Sequence, residues 1–201
     1  MFYTRILLAL NHVALRGDLA NAYQRHRRIE SLFPECKRSE AGALFRWEQS
    51  TVFVQSVIEP RFDLWPKGYA LEIQTKTIDL ASRLQVGQSL AFRLLADANK
   101  QSTRNENGKS RRFQRDCEEL PTWLTDRLTD VAEVVELVTR GDAPLNITRQ
   151  SQSWKVLPTS FAGQLRLLEP ARFMEVVAQG FGRSRAYGCG LMQIARVEVA
   201  S

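Results

Sequence analysis

Tyr23 and His26 stand three residues apart in DLANAYQRHRRIESLF, residues 18–33, with Arg25, Arg27 and Arg28 around them. At about 100° per residue, Leu19, Ala22, Tyr23, His26, Ile29 and Phe33 share one broad helical face. Two readings fit that pattern. The pair is either a core histidine and tyrosine whose polar atoms are satisfied inside, or two groups projecting together into a cleft. The arginines favour the cleft, because they make poor neighbours for a purely apolar face. A histidine placed there can move protons at ordinary pH, its unperturbed pKa being ~6.5. A tyrosine hydroxyl, ordinarily near ~10, is better suited to orienting a group or donating to an anion than to acting as a base.

The second chemistry-bearing stretch is GFGRSRAYGCGLM, in which Gly180, Gly182, Gly188 and Gly190 frame Arg183 and Arg185. Glycines permit positive φ and close approach of backbone amides to an anion, so a helix end leading into such a loop can cradle phosphate. The plainer alternative is a helix C-cap and a tight turn, which accounts for one or two glycines but not for four interleaved with arginines. A dinucleotide fingerprint needs a strand before the glycines and a helix after them. Here the order is reversed, which argues against NAD or ATP.

A third feature is the polar run NKQSTRNENGKSRRFQRD, residues 99–116. It carries Lys100, Arg104, Lys109, Arg111, Arg112 and Arg115 against Glu106 and Asp116, a surplus of four positive charges. Such a run is either a solvated loop or a basic arm that orders on a phosphate backbone.

Elements must hold these residues in place, and the hydrophobic pattern outlines them. Phe2 to Leu10, Leu44 to Glu48, Thr51 to Ile58 and Tyr69 to Thr75 read as strands, and Leu19 to Phe33 as a helix for which Gly17-Asp18 supplies a break and a cap. Pro60 to Gly68 is irregular or a poor short helix. After Gly87 a similar order recurs: strand Ser89 to Leu95, helix Pro121 to Thr129, strands Val131 to Val138 and Phe161 to Leu168, a helix from Pro170 to Gly180, and a closing strand Leu191 to Val199. The expected fold is therefore α+β, two tandem ferredoxin-like βαββαβ domains over residues 1–80 and 86–201, with no repeat visible at the level of sequence.

Composition bounds the rest. A chain of 201 residues that is 44% apolar can fill a real core, and its net charge of +6 permits a polyanion without requiring one. Cys36, Cys117 and Cys189 are scattered and odd in number, which points to a reduced, cytoplasmic setting rather than a disulfide framework. The apolar run Ile6 to Leu10 is too short for a signal peptide, and no stretch approaches the ~18 apolar residues of a membrane span. With only His12 and His26, 14 positions apart, no metal-ligand spacing stands out, so neither a metal nor another cofactor is expected.

The pattern G-x-G-x-x-(K/R)-x-x-G-x-G-L, met by Gly180, Gly182, Arg185, Gly188, Gly190 and Leu191, resembles the glycine-rich loop of CRISPR repeat-associated proteins. Asp18-Leu19-Ala20-Asn21 followed by Tyr23 and His26, together with FRLLADAN ending at Asn99, narrows the likeness to the CasE-type endoribonucleases of type I-E systems. It runs from Tyr3 to Val197. The resemblance implies metal-independent cleavage of precursor CRISPR RNA at its repeat hairpin and continued binding inside the Cascade complex with its other subunits. It implies His26 as the catalytic histidine with Tyr23 beside it, and Lys155, in Trp154-Lys155-Val156, as a matching basic residue. Lys100 stands where relatives often carry a proline. The basic run and Arg149 would then grip phosphates, since an A-form major groove is too narrow for side-chain reading. Two other readings stay open on the residues alone: a non-catalytic RNA-binding subunit of the same superfamily, and a protein-interaction module without nucleic acid.

Overall fold

The computed structural model describes residues 1–101 and 112–197. Its elements in chain order are β1 (Phe2–Leu8), α1 (Val13–Ala20), α2 (Ala22–Glu30), β2 (Leu44–Glu48), β3 (Thr51–Ser56), β4 (Ala70–Thr77), β5 (Ser89–Ala96), β6 (Lys100–Gln101), β7 (Arg112–Phe113), α3 (Glu119–Leu128), β8 (Ala132–Gly141), β9 (Leu145–Arg149), β10 (Gln152–Val156), β11 (Thr159–Leu167), α4 (Pro170–Gln179) and β12 (Met192–Arg196). This is an α+β protein with two four-stranded antiparallel sheets, ordered β2-β3-β1-β4 and β12-β5-β11-β8.

Each sheet has its own core. Strand alternation sends Ile6, Leu8, Val52 and Val54 to one face of the first sheet, where Ile29, Leu32 and Phe33 close over them. In the second sheet Leu90, Phe92, Leu94 and Leu165 meet Leu124 from α3 and Phe173 and Val177 from α4. Burying a Leu or Phe side chain stabilises by about 1.5–3 kcal/mol, so these two clusters outweigh any single polar contact below. Pro170 at the first turn and Gly180 at φ 75° delimit α4, as the sequence predicts.

Four sequence expectations change. The helix expected over Leu19 to Phe33 is two helices, because Asn21 adopts an extended conformation (φ −138°, ψ 114°) and caps the second. Gly17-Asp18 is not a helix start. Both lie inside α1, whose cap is His12, with Nδ1 accepting from the Ala14 amide at 3.2 Å. Pro60 to Gly68 is irregular, one of the two forms the sequence allowed, and its Trp65 packs with Leu15 of α1 and with Tyr69 against the first sheet's core, while Ile73 stays 41% exposed. Between β8 and β11 the chain inserts a two-stranded sheet, β9 against β10, that periodicity did not single out, with Gln150 at φ 53° in its turn. The closing strand ends at Arg196, and residues 198–201 lie outside the described residues.

Candidate functional site

The α2 N-terminus docks on the β9–β10 hairpin through one side chain. Asn21 Oδ1 accepts from the Tyr23 amide at 3.0 Å, the N-cap bond, and from the Thr148 amide at 3.1 Å. Its Nδ2 donates to the Thr148 carbonyl at 2.9 Å, so the asparagine pairs with β9 as another strand would. Ala22, Ile147 and Val156 bury a small apolar cluster beneath it, flanked by Tyr23, Leu145, Trp154 and Tyr187. The Arg149 guanidinium lies 5.7 Å from the centre of the Tyr23 ring, a cation–π contact.

One turn after Tyr23, His26 enters this cluster. Its ring centroid is 6.0 Å from Tyr23 and 6.1 Å, edge-on, from Tyr187, which in turn meets Trp154 at 6.3 Å. The His26 side chain is 18% exposed, and Nε2 lies 3.4 Å from Glu30 Oε1 one turn further on. Nδ1 is buried and has no hydrogen-bond partner among the described residues. This is not the satisfied core histidine that periodicity alone allows. Burial holds its pKa below the ordinary histidine value; Glu30 pulls the other way, and Arg38, Arg27 and Arg149 add to the depression. The neutral imidazole, able to accept a proton, is thus favoured, and three cations act on it.

The structure sorts the arginines that the sequence grouped together. Arg27 is 63% exposed, with a 3.3 Å contact to Glu30. Arg25 turns back on α1, its Nε and Nη2 donating to the Asp18 and Leu19 carbonyls at 2.9 and 2.7 Å. Arg28 pairs with buried Asp18 at 3.0 Å, and Asp18 also accepts from the Tyr69 hydroxyl at 2.5 Å. Arg25 and Arg28 are therefore engaged in contacts that hold the helices together, whereas Arg27 is exposed. Arg38 is the cation that the sequence missed. It is half-buried beyond α2, donates to the Ala43 carbonyl, and has a buried Nε without a partner among the described residues. Its surroundings in sequence, ECKRSE, carry no pattern that marks it.

Strand alternation sets the direction of Lys155. Trp154 and Val156 face the aromatic cluster, so Lys155 projects from the other face of β10, exposed and opposite Asn146. Arg149, exposed on β9, approaches Tyr23 and His26.

The glycines shape the loop, and three of their four amides are already engaged within it. All four have positive φ, between 73° and 93°. The amides of Gly180, Gly188 and Gly190 donate to the carbonyls of Val176 and Val177, of Arg185, and of Leu95, so they are not free to cradle phosphate. A Cβ at Gly182 would lie 2.7 Å from the Asp97 carbonyl oxygen, and one at Gly188 3.1 Å from the Phe45 ring. Buried Asp97 fastens this loop. Its Oδ2 accepts from Ser184 Oγ at 2.5 Å and its carbonyl from the Arg183 amide at 3.2 Å. Arg185 donates to the carbonyls of Gly182 and Gln179, closing the end of α4. The result is a tight 3-10 turn over Arg185–Tyr187 that aims Tyr187 at His26. Burial raises the Tyr187 pKa, so its hydroxyl keeps its proton. Tyr187 is a site residue that sequence reasoning passed over, although it stood inside the glycine pattern.

In the basic run, Lys100 forms an ion pair with Glu119, and Arg115 is partly exposed. Arg112 has its backbone in β7, while Arg104, Lys109 and Arg111 lie outside the described residues. No group of three or more His, Cys, Asp or Glu suited to a metal ion occurs among the described residues. No helix there is long and apolar enough to cross a membrane.

A family model described as "CRISPR associated protein" matches residues 1–196. The CRISPR-associated endoribonuclease Cse3 of Thermus thermophilus is 28% identical over 215 residues, covering 97% of this chain and 100% of the relative. The CRISPR system Cascade subunit CasE of Escherichia coli K12 is 24% identical, covering 97% and 99%. A solved structure of Thermus thermophilus Cse3 bound to an RNA representing a pre-cleavage complex superposes with a TM-score of 0.78 at 28% identity, covering 96% of this chain and 98% of that one.

Proposed function

Because this chain belongs to the CRISPR-associated protein family, we propose that it is an endoribonuclease that cuts precursor CRISPR RNA at the repeat hairpin and stays on the product as a subunit of Cascade. The observation that carries this reading is a neutral His26 set between Tyr23 and Tyr187, with an unpartnered Nδ1 and Arg27, Arg38 and Arg149 around it.

These groups suit cleavage by the RNA's own 2′-hydroxyl. His26 removes the 2′ proton, O2′ bonds to phosphorus, and the P–O5′ bond breaks, leaving a 2′,3′-cyclic phosphate and a 5′-hydroxyl that takes its proton from water. Negative charge builds on the non-bridging oxygens as the phosphorane forms. Arg38 and Arg149 oppose it, and the Tyr187 hydroxyl donates a hydrogen bond to it. Tyr23, packed one turn from His26, orients the nucleotide. No step in this scheme calls on a metal. Lys155, Arg183 and the cations of residues 100–115 serve the hairpin's backbone away from the cut.

We also read the two sheets as ferredoxin-like units over residues 1–80 and 86–201. Both have the strand order fourth-first-third-second of that unit, the first without its second helix and the second interrupted by the β6–β7 and β9–β10 insertions. A cytoplasmic setting fits three free thiols, of which burial pushes Cys189 up to about 12.

The deciding experiment incubates the protein in chelator with a repeat hairpin, and with the same hairpin carrying a 2′-deoxy residue at the cut. Cleavage of the first alone, with a cyclic phosphate end, is expected. Cleavage of both excludes 2′-hydroxyl attack, and cleavage of neither excludes a metal-independent nuclease. A His26→Ala protein should bind the hairpin and leave it whole; if it cuts as well as the parent, His26 is not the base.

A further inference from the structure

We propose that the cleft between the two sheets is a second RNA site, stacking unpaired bases of the strand that flanks the hairpin. The proposal rests on the hairpin reading above, since it takes more of the same RNA. The cleft is about 330 Å³, walled on one side by the outer face of the first sheet and on the other by α4 and β12. His26 belongs to the opposite side, because α2 packs on the inner face of that sheet. The volume suits a nucleotide and excludes a duplex.

What lines the cleft argues for a base. β1 and β3 are the central strands of the sheet, and they present Tyr3 and Phe53, both half-buried, to the cleft. Tyr3 lies opposite Gln55 and Arg5 opposite Phe53, so Tyr3 and Phe53 are diagonal neighbours whose positions on the sheet are roughly 7–8 Å apart. Aromatic side chains on adjacent central strands of a four-stranded sheet form a platform on which single-stranded RNA stacks. Charge points the same way. Among the described residues Arg5 has one ion pair, a 3.5 Å contact with Glu72, both side chains 45% exposed, and Lys76 is exposed beside Tyr3 on β4.

The amides supply the second, independent observation. Gln55 is 1% exposed, yet its Nε2 has no hydrogen-bond partner among the described residues. Across the cleft, the buried Oε1 of Gln193 is also without one. Buried polar groups are normally satisfied, and a donor and an acceptor left unpaired on residues of opposite walls match the edge of a nucleobase, which offers both. A purely apolar ligand would satisfy neither.

The test compares two RNAs in a His26→Ala background, so that substrate survives the titration: the bare hairpin, and the hairpin with a single-stranded flank on either side. We expect the flanked RNA to bind roughly tenfold more tightly or better, as stacking of even one base implies. Phe53→Leu and Tyr3→Leu, which keep apolar bulk, should collapse that ratio toward one, whereas Phe53→Tyr should keep it. A ratio of one in the parent, or a ratio untouched by either leucine variant, overturns the cleft site and leaves hairpin recognition standing. If neither RNA binds, the hairpin reading fails instead, and a short 4-thiouridine oligonucleotide judges the cleft alone. Photocrosslinks to Tyr3, Phe53 or their strand neighbours support it, and crosslinks confined elsewhere, or none, reject it. The same crosslink decides the matter should the leucine variants not fold.

Discussion

His26 is useful only in the protonation state that its surroundings select, and here they select the neutral one. Burial and the cations Arg38, Arg27 and Arg149 depress its pKa while Glu30 alone opposes them. Because a base must be deprotonated, kcat/KM for a hairpin should rise with pH along an acidic limb centred below ~6.5 and flatten before neutrality. Removing the Glu30 charge by Glu30→Gln takes away the one influence that favours imidazolium, so the limb should move to still lower pH. Arg38→Gln should move it the other way and lower the rate as well, by roughly tenfold to a hundredfold if that guanidinium meets the phosphorane. A profile that instead falls through this range would make His26 the acid, with the midpoint still moved down by Glu30→Gln and up by Arg38→Gln. The spacing of Tyr23 and His26 already carried the pairing of their side chains. It could not carry Arg38 or Tyr187, since each reaches the site from a separate segment and only the folded chain brings them together.

At the scale of elements, the site depends on a break that local propensity does not announce. DLANAYQRHRR reads as continuous helix because nothing in it forbids one. The partner that stabilises the break at Asn21 is the Thr148 backbone, 127 residues away. The β9–β10 hairpin was hard to see for a related reason: its strands are short and largely polar, and they bury only one face, against α2. The two sheets were readable because their strands alternate cleanly or run apolar, and α4 because Pro170 and Gly180 bracket it. Two side-chain functions meet in Asn21, and substitutions separate them. Asn21→Asp keeps an oxygen for the Tyr23 amide and so keeps the cap, but loses the donor to Thr148. Asn21→Ala loses both. We expect the alanine variant to cost about 1–2 kcal/mol, read from chemical denaturation, and the aspartate variant to recover most of that. Cleavage should suffer in both, because both release the hairpin that carries Arg149 and Trp154. Full activity in the aspartate variant would mean that the cap alone positions His26.

Over the whole molecule, the net charge of +6 gives a misleading count of what faces RNA. Arg28 and Arg149 carry the same charge, yet one is bound to buried Asp18 and the other is exposed over Tyr23. Their substitutions should therefore fail in different measurements. Arg28→Gln leaves Asp18 buried with only the Tyr69 hydroxyl, and removing one member of such a pair costs about 3 kcal/mol, or roughly 10 °C in Tm for a chain of this size. The variant's affinity for hairpin RNA, measured well below its melting point, should keep the parent's dependence on salt. Arg149→Gln should melt near the parent and lose affinity instead. Each phosphate neutralised releases condensed counterions, so log K falls with log[salt] by roughly 0.7–0.9 per contact, and the slope for this variant should be shallower by about one such step. The loss should also be similar for hairpins of different sequence, because a phosphate contact carries no base information. Equal slopes for the two variants would mean that exposure around His26 does not decide which arginines meet the backbone, and the basic track would then have to be sought among Lys155, Arg183 and the run from Lys100 to Arg115.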